Sequence, residues 1–147
     1  MEEKPDTPAE LKARALRYLV RREHSRAELV RKLTPHAQST EAVEALLDLL
    51  LTKKQQSDER FASERARVLS RKYGRAKIRQ DLKARGITDE VIARLDSGGE
   101  LGRARAILQK KFPDRTSDRK ELAKRMRFLQ GRGFSYDVIR SVFKEAE

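Results

Sequence analysis

The residues best placed to do chemistry in this chain are its cations. The 147 residues include 35 lysines and arginines against 23 aspartates and glutamates, a formal net charge of +12. An excess of that size needs an anionic partner or tolerance of self-repulsion. Nucleic acid, a nucleoprotein surface and acidic lipid are the candidates. No cysteine is present, which excludes a disulfide framework, thiol catalysis and thiolate metal sites. The two histidines, His24 and His36, read as a helix-end residue and a loop residue rather than as a zinc site or a triad. No Walker-type loop, metal-ligand spacing or nucleophile beside a base occurs, and Gly98-Gly99-Glu100-Leu101-Gly102 lacks the phosphate-loop lysine. A binding protein without cofactor or metal is expected, not an enzyme.

The cations are clustered. Lys12 to Lys32 holds eight basic residues and two acids, Arg71 to Arg85 seven and one, and Arg119 to Arg132 six and one. In the middle run Ile78 and Leu82 face inward on a helix, so Arg75, Arg79 and Lys83, with neighbouring Lys72, fall together at i, i+3 and i+4 steps. Such stacking costs a few tenths of a kcal/mol per pair, which an anionic partner would offset. The candidate contacts are Arg71, Lys72, Arg75, Lys77, Arg79 and Lys83 in this run, Arg21, Arg22 and Arg26 in the first, and Arg125, Arg127 and Arg132 in the third. Tyr73 lies inside the middle cluster and could stack on a base or simply cover a helix junction. Phe134 reads as a core plug.

The elements that carry these groups are punctuated as helices. Thr7-Pro8-Ala9-Glu10 and Ser25-Arg26-Ala27-Glu28 are capping boxes. The first opens a stripe of Leu11, Ala15, Leu16, Leu19 and Val20; the second is followed by Leu29 and Leu33 and stopped by Thr34-Pro35. Ser39 or Thr40 starts a helix with Val43, Leu46, Leu47 and Leu50, and the leucine run to Leu51 is read as buried. Asp58 caps a helix with Phe61, Ala62, Ala66 and Leu69. Gly74 precedes a helix with Ala76, Ile78 and Leu82, which Gly86 ends, and Thr88 caps the next. After the Gly98-Gly99 loop, Leu101, Ala104, Ile107 and Leu108 share a face. Ser117 caps a helix with Leu122, Met126 and Leu129, and Ser135 caps the last, with Val138, Ile139, Val142 and Phe143. No strand pattern occurs.

Leu82 to Ile92 parallels Leu129 to Ile139, with Gly86 and Gly133 in register at an offset of 47 residues. A period in the range of ~20–50 residues marks a repeat array. About nine helices in three groups are expected: a tail over 1–9, then three-helix repeats over 10–55, 56–98 and 99–147. An extended array also explains the composition. Hydrophobic residues are 37% and charged residues 39%, against the usual ~45–50% and ~25%. Leu, Ile, Val and Phe number 34 in 147, just above the ~20% floor for a folding chain. The acidic, polar N-terminus is no secretory signal and the longest apolar run is Leu49-Leu50-Leu51, so a cytoplasmic protein with no membrane span is expected.

Four stretches carry a family resemblance. They are Arg21-Arg22-Glu23-His24-Ser25-Arg26-Ala27-Glu28-Leu29, Asp58-Glu59-Arg60-Phe61-Ala62, Tyr73-Gly74-Arg75-Ala76-Lys77-Ile78-Arg79-Gln80-Asp81-Leu82 with Gly86-Ile87, and Arg127-Phe128-Leu129-Gln130-Gly131-Arg132-Gly133-Phe134-Ser135-Tyr136-Asp137-Val138-Ile139. In order and spacing, over about residues 10–145, the chain resembles the RecX family of bacterial recombination regulators. The resemblance implies an all-α, elongated, curved array of three tandem three-helix repeats. It also implies a glycine in the turn of Thr52 to Ser57, which this chain lacks. It implies binding to RecA and to RecA filaments on single-stranded DNA, in the helical groove. The consequence would be inhibition of filament extension, ATP hydrolysis and strand exchange, and so negative regulation of homologous recombination and the SOS response.

Two other readings follow from the residues. Homeodomain-like three-helix units with basic middle helices suit a DNA-binding protein without RecA dependence. Against base reading, those helices lack the Asn and Gln that recognise adenine, Gln80 excepted. Weak direct DNA binding is expected in any case at this charge. A helical adaptor for an acidic protein would need the leucines at 46–51 exposed. Net repulsion favours a monomer.

Overall fold

The computed structural model describes residues 4–95 and 98–144. The described residues form nine α-helices and no strand: α1 Pro8–Arg21, α2 Arg26–Leu33, α3 Thr40–Thr52, α4 Asp58–Leu69, α5 Arg75–Ala84, α6 Asp89–Ala93, α7 Glu100–Lys111, α8 Arg119–Gly131 and α9 Tyr136–Lys144. None of them is long and apolar enough to cross a membrane.

Local chemistry sets most boundaries. Thr7 and Ser25 make reciprocal capping boxes with Glu10 and Glu28, each satisfying two backbone donors that the helix start leaves open. Ser39, Thr88 and Ser135 cap α3, α6 and α9 through their hydroxyls. Two expected caps are off by one residue. Ser57, not Asp58, accepts the backbone N–H of Arg60 and so caps α4. Asp118, not Ser117, accepts the N–H of Glu121 and caps α8. The expected glycine before α4 is replaced by Lys54, which takes a left-handed φ of 60°.

The chain divides into two compact units, one of Met1–Glu64 with Lys83–Ala93 and one of Arg65–Leu82 with Arg94–Glu147. In the first unit, α1, α2 and α3 enclose Leu11, Ala15, Leu29, Leu33, Val43, Leu46, Leu47 and Leu50. Each buried leucine stabilises the unit by about 1.5–3 kcal/mol relative to exposure. Val20 is 87% exposed and is no part of the α1 stripe; Leu16, Tyr18 and Leu19 cover the core there instead. The leucine run on α3 is split, because a helix buries only one stripe: Leu46, Leu47 and Leu50 face the core, and Leu49 and Leu51 face out.

In the second unit, α7 packs on α8 and α9 around Ala104, Leu129, Phe134, Ile139 and Val142. Phe134 is the expected plug. Met126 is exposed, and Phe128 packs against this core.

Candidate anion-binding cleft

The glycine turns after α5 and α8 build one kind of joint twice. Gly86 and Gly133 have φ of 84° and 95°, the left-handed region where a Cβ is costly. Each is pressed against the start of an earlier helix: Gly86 against Ala27, and Gly133 against Lys77 and Gly74. Ala27 and Gly74 stand at the same 47-residue offset as Gly86 and Gly133, so the small-residue contact recurs in register. At the first joint the Ser25 hydroxyl donates to the Arg85 carbonyl at 2.8 Å. At the second, the Gly74 N–H donates to the Arg132 carbonyl at 2.8 Å and the Ala76 N–H to the Gly133 carbonyl at 3.1 Å. Carboxylates from the first residues of α4 and α7 complete the pattern. Asp58 accepts the N–H of Arg26 at 2.8 Å, and Glu100 that of Arg75 at 3.0 Å, anions placed at the positive ends of α2 and α5.

The two joints differ in charge. At the first, buried Glu28 accepts from Arg22 at 3.1 Å through both oxygens, from Arg85 at 3.1 Å and from the Ser25 N–H. Burial pushes the Glu28 carboxyl up, but hydrogen bonds from Arg22 and Ser25 and the Arg22 charge outweigh it, leaving the pKa below the usual value. His24, 2% exposed, sits beside it. Its Nδ1 donates to the Arg22 carbonyl at 3.0 Å, so Nε2 is the acceptor facing Lys32 Nζ at 3.0 Å. Burial lowers the His24 pKa, and the ring is held neutral. His24 is therefore a structural part of this joint rather than a helix-end residue.

At the second joint Arg75 occupies the position equivalent to Glu28. With no carboxylate there, Arg132 turns onto two rings: its guanidinium lies 5.6 Å from the Tyr73 centroid and 5.0 Å from that of Phe128, and it reaches the Lys72 carbonyl at 3.4 Å. The result is an open cleft of about 610 Å³, lined by Arg71, Lys72, Tyr73, Lys77, Ile107, Lys110, Lys111, Phe128, Gly131 and Arg132. Six of the ten are cations and none is an acid, so the cleft is a concave positive site. Arg132 lies over one face of each of the cleft's two rings.

Of the residues singled out in the sequence, the structure brings Arg71, Lys72, Tyr73, Lys77 and Arg132 together here. Arg75 and Arg79 are exposed on α5 but do not line the cleft, and Arg75 lies 3.9 Å from Glu100. Arg125 bonds Glu121 and the Asp114 carbonyl over the Phe112 ring, which makes it a brace within the second unit. Arg127 is exposed on α8. In the first unit Arg22 is paired with Glu28, Arg26 with Asp48 at 2.9 Å and Lys83 with Asp89 at 3.0 Å, while Arg21 is exposed at the end of α1. Sequence reading missed Lys110 and Lys111. Their signal was the basic last turn of α7 before Phe112-Pro113, read there only as a helix end. Among the described residues no group of three or more His, Asp or Glu could hold a metal.

Comparison with known proteins covers nearly the whole chain. Three family models match in tandem: the first three-helix domain of RecX over residues 12–50, the second over 57–94 and the third over 99–143. A protein of Herbaspirillum seropedicae named Regulatory protein RecX is 45% identical over 97% of this chain and 94% of its own length. One of the same name from Ralstonia nicotianae is 42% identical over 97% and 92%. The crystal structure of RecX from Lactobacillus salivarius has the same fold, with a TM-score of 0.82 at 20% identity over 94% of this chain and 95% of that one. The all-helical fold of three tandem three-helix domains, together with these relatives, places the chain in the RecX family of regulatory proteins.

Proposed function

We propose that this protein is a regulator that acts by binding, with RecA assembled on single-stranded DNA as its target. In this reading it occupies the helical groove of the filament as a monomer in the cytoplasm. It restrains filament extension, ATP hydrolysis and strand exchange, and with them recombination, repair and the SOS response. Family membership supports the partner. The single observation that carries the mode of action is the acid-free cleft beside the Gly74–Gly133 joint, which offers fixed positive charge to an anionic surface.

Exposed Arg21, Arg79 and Arg127 supply further contacts outside the cleft. Three tandem domains can touch several subunits of a polymer, so weak contacts combine as effective concentration. A bias between filament states requires tighter binding to one of them.

The test compares a labelled sample of this protein on preassembled RecA filaments and on the same bare strand at one salt concentration. Binding to filaments at least tenfold tighter is expected. Equal affinity for both would contradict the reading and leave a basic DNA-binding protein without RecA dependence.

A further inference from the structure

The cleft of the second unit holds more information than its sign. Four of its six cations are lysines: Lys72, Lys77, Lys110 and Lys111. Lysine is a flexible point charge that can bind a phosphate without the fixed bidentate geometry of the arginine fork, so a lysine-rich lining suits a mobile chain of spaced negative charges. Of the two arginines, Arg132 is already spent on the Tyr73 and Phe128 rings and the Lys72 carbonyl. Among the described residues no Asn, Gln, Asp or Glu lines the cleft, so side chains that read adenine or cytosine edges are absent from that lining. Arg132 already lies over one face of Tyr73 and of Phe128, so the cleft offers charge more readily than base stacking. A concavity of about 610 Å³ has room for a short stretch of one phosphodiester backbone.

The charge is also a local product of the joint and not a share of the overall +12. The equivalent joint in the first unit carries Glu28 between Arg22 and Arg85, so a buried carboxylate offsets part of the positive charge there.

We propose that this cleft is a sequence-independent site for the phosphodiester backbone of a single nucleic-acid strand, with Lys110 and Lys111 as principal contacts. This deepens the filament reading above, on which its biological setting rests. Lys110 and Lys111 are exposed at the end of α7, so neutralising them leaves the core untouched.

The experiment measures binding of this protein to a labelled oligothymidylate without RecA, over a series of salt concentrations. The variants are Lys110→Gln/Lys111→Gln and a charge-matched Arg31→Gln/Lys53→Gln pair, whose residues are exposed in the first unit. Helical circular dichroism is recorded for each. Loss of about tenfold or more in affinity is expected for the first pair. Its salt dependence should flatten by about 1.4 in log–log slope, two contacts at ~0.7 each. The second pair should stay within about twofold by the same charge-contact arithmetic. An abasic phosphodiester strand should compete as well as oligothymidylate.

Equal losses in both pairs would overturn the site, because binding would then follow net charge. Competition by polyglutamate as strong as by the abasic strand would overturn the ligand in favour of an acidic protein surface. Inorganic triphosphate competing better than the strand would overturn it in favour of a free polyphosphate. Because RecA is absent, failure here leaves the filament reading standing, and failure of filament binding leaves this site standing.

Discussion

Glu28 holds two arginines and the Ser25 N–H at once, beside the neutral, buried ring of His24. Both groups make stability depend on pH in the same direction. His24 takes up a proton less readily folded than unfolded, so its contribution is complete above the ordinary value of 6.5 and is lost as pH falls below it. Glu28 has a folded pKa below its ordinary 4.5, so its contribution is present above that value and is lost as pH falls further. Thermal melting against pH should be flat above neutrality and decline in two stages on acidification. His24→Asn should remove the upper stage; an unchanged profile would contradict the buried neutral ring. Glu28→Gln should cost about 2 kcal/mol through lost charged hydrogen bonds, read by urea unfolding. The capping role of Glu28 was legible from Ser25-Arg26-Ala27-Glu28. Its second role was not, because Arg85 lies 57 residues away in sequence. Lys54 illustrates the same gap. The sequence has no glycine in this turn, but only the φ of 60° shows that the left-handed conformation is kept there at the expense of strain. A left-handed non-glycine costs about 1–2 kcal/mol, so Lys54→Gly should raise stability by roughly half that after the entropy of the added glycine. A drop in melting temperature would contradict it.

Among the elements, the α5 and α8 ends decide where the cleft can form. A Cβ on Gly74 would lie 2.6 Å from the Gly133 carbonyl oxygen, a backbone atom that cannot swing aside. Gly74→Ala should therefore destabilise by about 1–3 kcal/mol, as overpacking does, and loosen Tyr73 against Arg132 and Lys77 against Gly133. By contrast Gly102, inside α7, has nothing within 4 Å of an added Cβ. Gly102→Ala should stabilise by up to about 1 kcal/mol through helix propensity alone. Chemical denaturation of the two variants checks the contrast, and equal effects would refute the close joint. The 47-residue register of these turns was readable from Gly86 and Gly133, and so were the helices, because capping and 3.6-residue stripes are local signals. The one-residue misplacement of the α4 and α8 caps has a local cause too. Ser57 precedes Asp58, and Asp118 follows Ser117, so two good cap residues competed at each start. Asp58 was taken up by the Arg26 N–H instead.

At the scale of the whole molecule, three tandem domains and a charge of +12 were evident in the sequence, and the family with them. The distribution of free charge was not. Runs of basic residues look alike along the chain, yet Arg22, Arg26, Lys83 and Arg125 are tied into pairs, while Lys110 and Lys111 join a cleft with residues from two distant runs. Which cations remain available depends on where carboxylates fall at each joint, and that is a tertiary property. The most direct test of the regulatory reading is a titration of this protein into RecA filaments preassembled on single-stranded DNA, following ATP hydrolysis and bound fraction together. Hydrolysis should fall in step with binding and reach its floor well below one molecule per RecA subunit. Saturating binding with hydrolysis unchanged would contradict regulation of the filament.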